Sequence, residues 1–95
     1  MAGYRLSRAA EFDLVAIAEY GIETFGLEQT LAYRDHLLRA FEFLAQFPRA
    51  ARLRTELRPP VRIHPCRSHI IVYREDDHGI LILRIRHGRE DWSND

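Results

Sequence analysis

The strongest constraint in the sequence is a pair of apolar segments in its second half. Residues 69–74 (HIIVYR) are rich in β-branched and aromatic side chains, and residues 80–87 (ILILRIRH) begin with four aliphatic residues. The intervening EDDHG is typical of a hairpin turn. Because side chains alternate between the two faces of a strand, both segments predict strands that are apolar on both faces. A fold built on them must therefore cover both faces of a sheet.

The first half of the chain predicts two helices. Ser7 fits the N-cap of the first helix, and Gly26 is a typical stop just past its last apolar residue. The apolar residues of this helix recur at helical spacing, as Phe12, Val15, Ala18, Ile22 and Phe25, with Leu14 and Ile17 widening the stripe. The second helix should cover residues 28–47, because Pro48 disfavours helical geometry in the residue before it. Its apolar side comprises Leu31, Leu37, Leu38, Phe41, Leu44 and Ala45.

The remaining elements complete an α+β domain. Residues 4–6 read as a short opening strand, residues 48–60 as a polar, Arg-rich connection, and residues 61–64 as a strand. The order β-α-α-β-β-β predicts a helical hairpin packed on a mostly antiparallel sheet. The length of 95 residues predicts a single domain over residues 1–95.

Two helices can cover only one face of such a sheet. Part of the second face could be covered by the C-terminal tail through Trp92, by a second copy of the chain, or by a partner protein. The residues leave these three possibilities open.

Composition limits the function classes. The formal net charge of zero argues against a general nucleic-acid coat. Without a membrane-length apolar run or a signal-peptide core, we expect a cytoplasmic protein that does not contact membranes. The charge is nevertheless uneven, because residues 1–47 contain four Arg and seven acids whereas residues 48–95 contain ten Arg and seven acids.

Candidate catalytic and metal-binding residues are sparse. Cys66 lies between His64 and His69, which suggests either a thiolate–histidine pair or a small residue in a turn. The turn is favoured, because no Gly-rich elbow accompanies the cysteine. The five histidines show no HExxH or His-x-His spacing, so scattered histidines are favoured over a metal site. No catalytic residue, metal or cofactor is predicted.

Arginines on the strands form the clearest candidate binding surface. Arg62, Arg74, Arg84 and Arg86 occur at alternating positions, so some of them must share a face. With His87 and Arg89 they could contact an acidic partner or nucleic acid. The alternative, favoured by pattern alone, is a solvent face whose charges protect the sheet.

Several segments together resemble the ParE branch of the RelE/ParE superfamily of bacterial toxins. These segments are SRAAEFDL (7–14), IAEY (17–20), FG (25–26), FP (47–48), ELR (56–58), HIIVYR (69–74) and ILRIRHGREDW (82–92). The last is the most specific, because its His-Gly-Arg-acid sequence follows a His-x-Ile-x-Tyr-Arg strand. The resemblance runs from about residue 4 to residue 92.

The resemblance implies a toxin of a type II toxin-antitoxin system that inhibits DNA gyrase without hydrolytic chemistry of its own. It also implies a ParD-like antitoxin, whose N-terminal half binds DNA and whose C-terminal segment folds upon the toxin. The toxin would then meet DNA only indirectly. On this basis the target-binding candidates are Arg84, Arg86, His87, Arg89 and Trp92, with Arg62 and Arg74 as secondary candidates.

Two alternatives remain. The RelE branch consists of ribosome-dependent mRNA endonucleases, which usually carry an arginine where this chain has Ile70. An aliphatic side chain cannot stabilise phosphate charge, and the chain also lacks lysine. The third possibility is an inactive toxin fold that only binds an antitoxin.

Overall fold

The computed structural model describes residues 3–88, and it confirms the expected α+β class. The elements in chain order are β1 (Gly3–Leu6), α1 (Arg8–Phe25), α2 (Leu27–Gln46), β2 (Leu53–Arg54), β3 (Val61–Cys66), β4 (His69–Asp76) and β5 (Gly79–His87). They form a helical hairpin on one five-stranded sheet of order β1-β5-β4-β3-β2. Strand β1 is parallel to β5, and the other three pairings are antiparallel.

The short strand β2 lies in the segment that the sequence predicts to be a plain connection. It consists of two residues, Leu53 and Arg54, which pair with Arg62 and Val61. Two residues are too few to show the alternation by which a strand is recognised in sequence. The sheet therefore extends one strand further than the pattern indicates.

Ser7 joins the first helix to the last strand. Its side-chain oxygen accepts the backbone N–H of Ala10 at 3.0 Å, as an N-cap should, and its hydroxyl donates to the carbonyl of Leu83 at 2.7 Å. Its backbone N–H donates to the carbonyl of Ile82 at 2.9 Å. Helix α1 therefore starts at a fixed point on β5, where β1 ends.

A β-bulge in β5 sets which side chains enter the core. Tyr73 lies opposite Ile82 and Val72 lies opposite Arg84, which leaves Leu83 as the extra residue. Ile82 and Ile85, three positions apart, consequently both face the helices. The largest fully buried side chains are Tyr73, Phe41, Leu37, Leu44, Ile71, Ile80 and Ile82.

The stripe predicted for the first helix is largely exposed. Ala10 and Gly21 are buried, and Leu14 and Ile17 pack against the core. By contrast, the side chains of Phe12 (76%), Val15 (54%), Ile22 (46%) and Phe25 (59%) are accessible to solvent. Helical periodicity fits both faces of α1, and the face with Ala10 and Gly21 is the buried one because these two residues allow close approach. Leu31, predicted on the apolar side of the second helix, is likewise 53% exposed.

The sheet face opposite the helices lacks a covering layer among residues 3–88. Alternation and register place Ile63, Ile70, Val72 and Leu81 on this face, which we call the outer face. Val72 is nearly buried between its neighbours Ile63 and Arg84, whereas Ile63, Ile70 and Leu81 are half-buried. The expected cover by Trp92 falls outside the described residues. Within the described range, neither helix is long and apolar enough to cross a membrane.

Gly21 allows the two helices to touch. A Cβ at this position would lie 2.7 Å from Thr30 Oγ1 and 3.1 Å from Thr30 Cγ2. Thr30 is itself buried, and its hydroxyl donates to the carbonyl of Gly26 at 2.8 Å. A side chain at position 21 would therefore push apart the helices beside their connecting turn.

We expect Gly21→Ala to lower the free energy of unfolding by about 1–2 kcal/mol. Overpacking typically costs about 1–3 kcal/mol, which exceeds the roughly 0.5–1 kcal/mol that alanine gains over glycine inside a helix. Urea denaturation followed by circular dichroism measures the change. Glu23→Ala, at an exposed site in the same helix, should stay within about 0.5 kcal/mol of wild type. An unchanged or raised stability for Gly21→Ala would show that the helices do not meet at this residue.

Candidate functional site

The structure divides the predicted arginines between different places. By alternation Arg74 and Arg86 belong to the outer face, where Arg86 pairs across the strands with Ile70. Arg62 instead donates from Nη1 to the backbone carbonyl of Ala51 at 2.8 Å. Arg62 therefore holds the 48–60 connection against β3, and its pairing with Tyr73 puts it on the face opposite to that of Arg74 and Arg86.

Arg84 is part of a structural junction with the first helix. Its Nε and Nη2 donate to the two carboxylate oxygens of Asp13 at 2.8 and 3.0 Å, a bidentate arrangement. The same carboxylate accepts the backbone N–H of Ile85 at 2.8 Å. Asp13 therefore accepts a backbone hydrogen bond from the part of β5 that extends beyond the end of β1. This arrangement assigns Arg84 a structural contact that the sequence did not predict.

His87 lies on the helix-facing side of the sheet, beside a second histidine. It pairs with His69 across β4 and β5, and the two ring centroids are 5.5 Å apart. Tyr33 from α2 reaches the same place, and its hydroxyl lies 2.6 Å from Nδ1 of His69. The hydroxyl accepts the backbone N–H of Ser68 at 3.1 Å, so its own proton can be donated to the imidazole.

These three side chains line a cleft of about 600 Å³. Its walls come from both helices and include Asp13, Ile17, Tyr20, Phe25 and Thr30. Burial raises the pKa of the Tyr33 phenol, although the hydrogen bond from Ser68 offsets part of this effect. Tyr33 therefore stays neutral near pH 7, and the cleft combines apolar side chains with two phenols, two imidazoles and the Asp13 carboxylate.

Tyr33 and His69 were not predicted as members of this group. Tyr33 lies within a helical pattern that shows no reason to single it out, and His69 was considered only as a neighbour of Cys66. The pairing of His69 with His87 depends on the register of two strands, and residue spacing does not reveal that register. Arg89 and Trp92, the other predicted candidates, lie outside the described residues.

The environment of Cys66, which is the last residue of β3 and directly precedes the turn, argues against the thiolate–histidine pair. Its thiol is directed at the backbone carbonyl of His36 at 3.9 Å, and burial raises the thiol pKa. A reactive thiolate requires the opposite shift. His64 lies against the ring of Phe43, with the centroids 5.8 Å apart, and burial lowers its pKa. In residues 3–88, no group of three or more His, Cys, Asp or Glu side chains is arranged to hold a metal ion.

Comparison with known proteins agrees with this architecture. A family model described as the ParE toxin of the type II toxin-antitoxin system parDE matches residues 4–92. The chain belongs to the ParE toxin family. Its fold and its resemblance to ParE sequences, both expected above, are thereby confirmed, and it is a ParE-type toxin of a type II toxin-antitoxin system.

Individual ParE relatives align over most of their lengths. Toxin ParE1 of Caulobacter vibrioides is 33% identical over 87 residues, which are 92% of this chain and 90% of the relative. Toxin ParE1 of Mycobacterium tuberculosis is 33% identical over 89 residues, which are 93% and 91% of the two chains. A solved chain of the chromosomal ParDE TA system from P. aeruginosa superposes with a TM-score of 0.78 at 25% identity, covering 92% of this chain and 96% of that one.

The Asp13 junction should be a major source of stability for this ParE-type toxin. We expect Asp13→Ala to lower the free energy of unfolding by about 2–3 kcal/mol, because it leaves the N–H of Ile85 without its acceptor and removes a charge-assisted bond. Asp13→Asn retains one neutral acceptor and should lose about half as much. Urea denaturation provides the measurement. Glu11→Ala, an exposed carboxylate in the same helix, is the control; equal losses for Glu11→Ala and Asp13→Ala would refute the assignment.

Proposed function

We propose that this toxin inhibits DNA gyrase in the cytoplasm by protein–protein contact, and that a ParD-like antitoxin neutralises it. The toxin would act as a single domain over residues 1–95 and without catalysis. DNA would be met only indirectly, through the DNA-binding half of the antitoxin. The observation that carries the proposal is the outer face, an aliphatic surface bearing arginines that neither helix covers.

The chemistry of the outer face suits a protein partner. Ile63, Ile70 and Leu81 provide half-buried apolar area, and Arg74 and Arg86 belong to the same face. A guanidinium group offers a planar fork of donors that matches carboxylates, and arginine is enriched at protein interfaces. The surface therefore fits a partner that presents apolar side chains together with acidic ones.

An antitoxin would need to cover more than this face. The exposed aromatic and aliphatic residues of the helical hairpin form a second apolar surface. A segment that is disordered until it binds can wrap a large surface on several sides of a small protein. This property supports a ParD-like partner whose C-terminal segment folds upon the toxin.

Purified gyrase provides the direct test. The toxin should inhibit supercoiling of relaxed plasmid and trap cleaved DNA, and addition of the antitoxin should relieve both effects. The antitoxin to use is the ribbon-helix-helix protein encoded beside the toxin. A folded, antitoxin-free preparation that leaves supercoiling untouched would remove gyrase as the target.

Charge reversal should identify the inhibitory surface. We expect Arg86→Glu with Arg89→Glu to raise the concentration for half-inhibition at least tenfold, because like charges would then face an acidic partner. The matched control is Arg39→Glu with Arg49→Glu, which changes the net charge equally at two exposed arginines outside this surface. If the first pair remains fully inhibitory and fully toxic in cells, the assignment of the last strand and tail to the target is wrong.

A second candidate function, mRNA cleavage on the ribosome, is favoured by one observation. His69, His87 and Tyr33 place groups that can exchange protons in one cleft. Against it stands Ile70, which occupies the position where the ribonuclease branch usually has arginine. The third candidate is an inactive toxin fold that only binds an antitoxin. Normal growth of cells that express the protein without the antitoxin would favour this candidate.

Primer extension on transcripts from expressing cells separates the second candidate from the first. A ribonuclease would leave defined cleavage ends, and His87→Ala should reduce cleavage about 100-fold, which is typical for loss of an acid–base group. His78→Ala, in the exposed β4–β5 turn, is the control. We expect the toxin to produce no cleavage ends in transcripts. Cleavage ends that appear with the wild-type toxin and disappear with His87→Ala would instead show ribonuclease activity and overturn the gyrase proposal.

A further inference from the structure

Two pairs of aromatic rings line the cleft beside the end of β5. The rings of Tyr20 and Phe25 are in edge contact with their centroids 6.3 Å apart, and both side chains are exposed. The rings of Tyr33 and His69 are also in edge contact, with their centroids 5.5 Å apart. Gly21 lines the same cleft and contributes no side chain to fill it. Because aromatic rings prefer edge-to-face or offset contacts with other rings, the cleft suits a planar aromatic group.

The chain leaves the sheet at the rim of this cleft. Strand β5 ends at His87, and the backbone N–H of Gly88 donates to the carbonyl of Ser68 at 2.8 Å. Ser68 and His87 both line the cleft. Trp92 follows Gly88 by four residues. Since an extended chain spans about 3.3–3.6 Å per residue, four residues reach up to about 14 Å, which brings Trp92 within range of the cleft.

Trp92 is the residue of the tail whose chemistry matches the cleft. It is the only aromatic residue after Gly88, and the other residues from 89 to 95 are charged or polar. A packed tryptophan buries about 150–250 Å², and a cleft of about 600 Å³ has room for its indole. Ile17 adds an aliphatic surface, and Asp13 and Gln29 line the cleft with acceptors for the N–H that a buried indole must satisfy.

We propose that the tail folds back onto the helix-facing side and that the indole of Trp92 docks into this cleft. The docked indole occupies the space that another ligand of the cleft would need. Trp92 then positions the tail, and Arg89 remains outside the cleft. The proposal also removes the tail from the three candidate covers of the outer face. It goes beyond the proposed function and does not depend on the identity of the target.

The fluorescence of the toxin alone tests this contact, because Trp92 is the only tryptophan of the chain. We expect wild type to emit at shorter wavelength than the urea-unfolded chain, because a docked indole is shielded from water. Tyr20→Ala with Phe25→Ala should shift the emission toward that of the unfolded chain and about double the acrylamide quenching constant. The matched control, Phe43→Ala with Phe47→Ala, removes another exposed aromatic pair, with centroids 5.4 Å apart, and should leave the emission unchanged.

A second measurement needs no variant. In the wild-type toxin, nuclear Overhauser effects should link the indole protons of Trp92 to ring protons of Tyr20 or Phe25. Emission like that of the unfolded chain, or equal emission of wild type and the Tyr20→Ala with Phe25→Ala variant, would overturn the proposal. So would indole contacts with Ile70 and Leu81, since the tail would then cover the outer face. A shift to longer wavelength on dilution would also overturn it, because the cleft would then hold the tail of a second copy.

Discussion

The contact on which the rest of the structure depends is that of the Asp13 carboxylate with β5. A single side chain accepts the backbone N–H of Ile85 and pairs bidentately with Arg84, so it closes the part of β5 that β1 does not reach. Together with Ser7, it fixes where α1 lies on the sheet. Because α2 follows after one glycine, the same contact positions the whole hairpin on one face. The opposite face is consequently covered by neither helix, and the proposed function depends on this exposure.

In this fold, residues of the same type have different roles. Arg62 and Arg84 stabilise the fold, whereas Arg74 and Arg86 belong to the outer face. The apolar residues of α1 are divided in the same way, because Leu14 and Ile17 pack against the core whereas Phe12, Val15, Ile22 and Phe25 are exposed. The proposed function, with two partners, would gain from such a division, because changes at the binding faces need not disturb the core. The cost is a large exposed apolar area, which a permanently bound antitoxin would cover.

The fold was predictable from sequence because its signals are local. The cap at Ser7, the stop at Gly26 and the apolar runs at 69–74 and 80–87 determine the elements, and the observed bounds differ by only a few residues. The candidate site was less predictable because it depends on pairing across the sheet. The bulge at Leu83 changes the alternation of β5, and the contact of His87 with His69 and Tyr33 joins three distant segments. Which apolar face of α1 is buried depends on close packing at Gly21, and periodicity carries no information on that packing.

The parallel pairing of β1 with β5 has a consequence for synthesis. Strand β1 pairs with β5, and the hydroxyl of Ser7 donates to the backbone carbonyl of Leu83. Strands β1 and β5 must therefore meet before either is held in place. A nascent chain on the ribosome can form its helices early, but it cannot complete the sheet until β5 has emerged. An interrupted message would therefore release a fragment without the junction at Asp13 and without the last-strand arginines. On the ribosome the sheet therefore remains incomplete until β5 has been translated, so any activity that needs the assembled sheet begins late in synthesis.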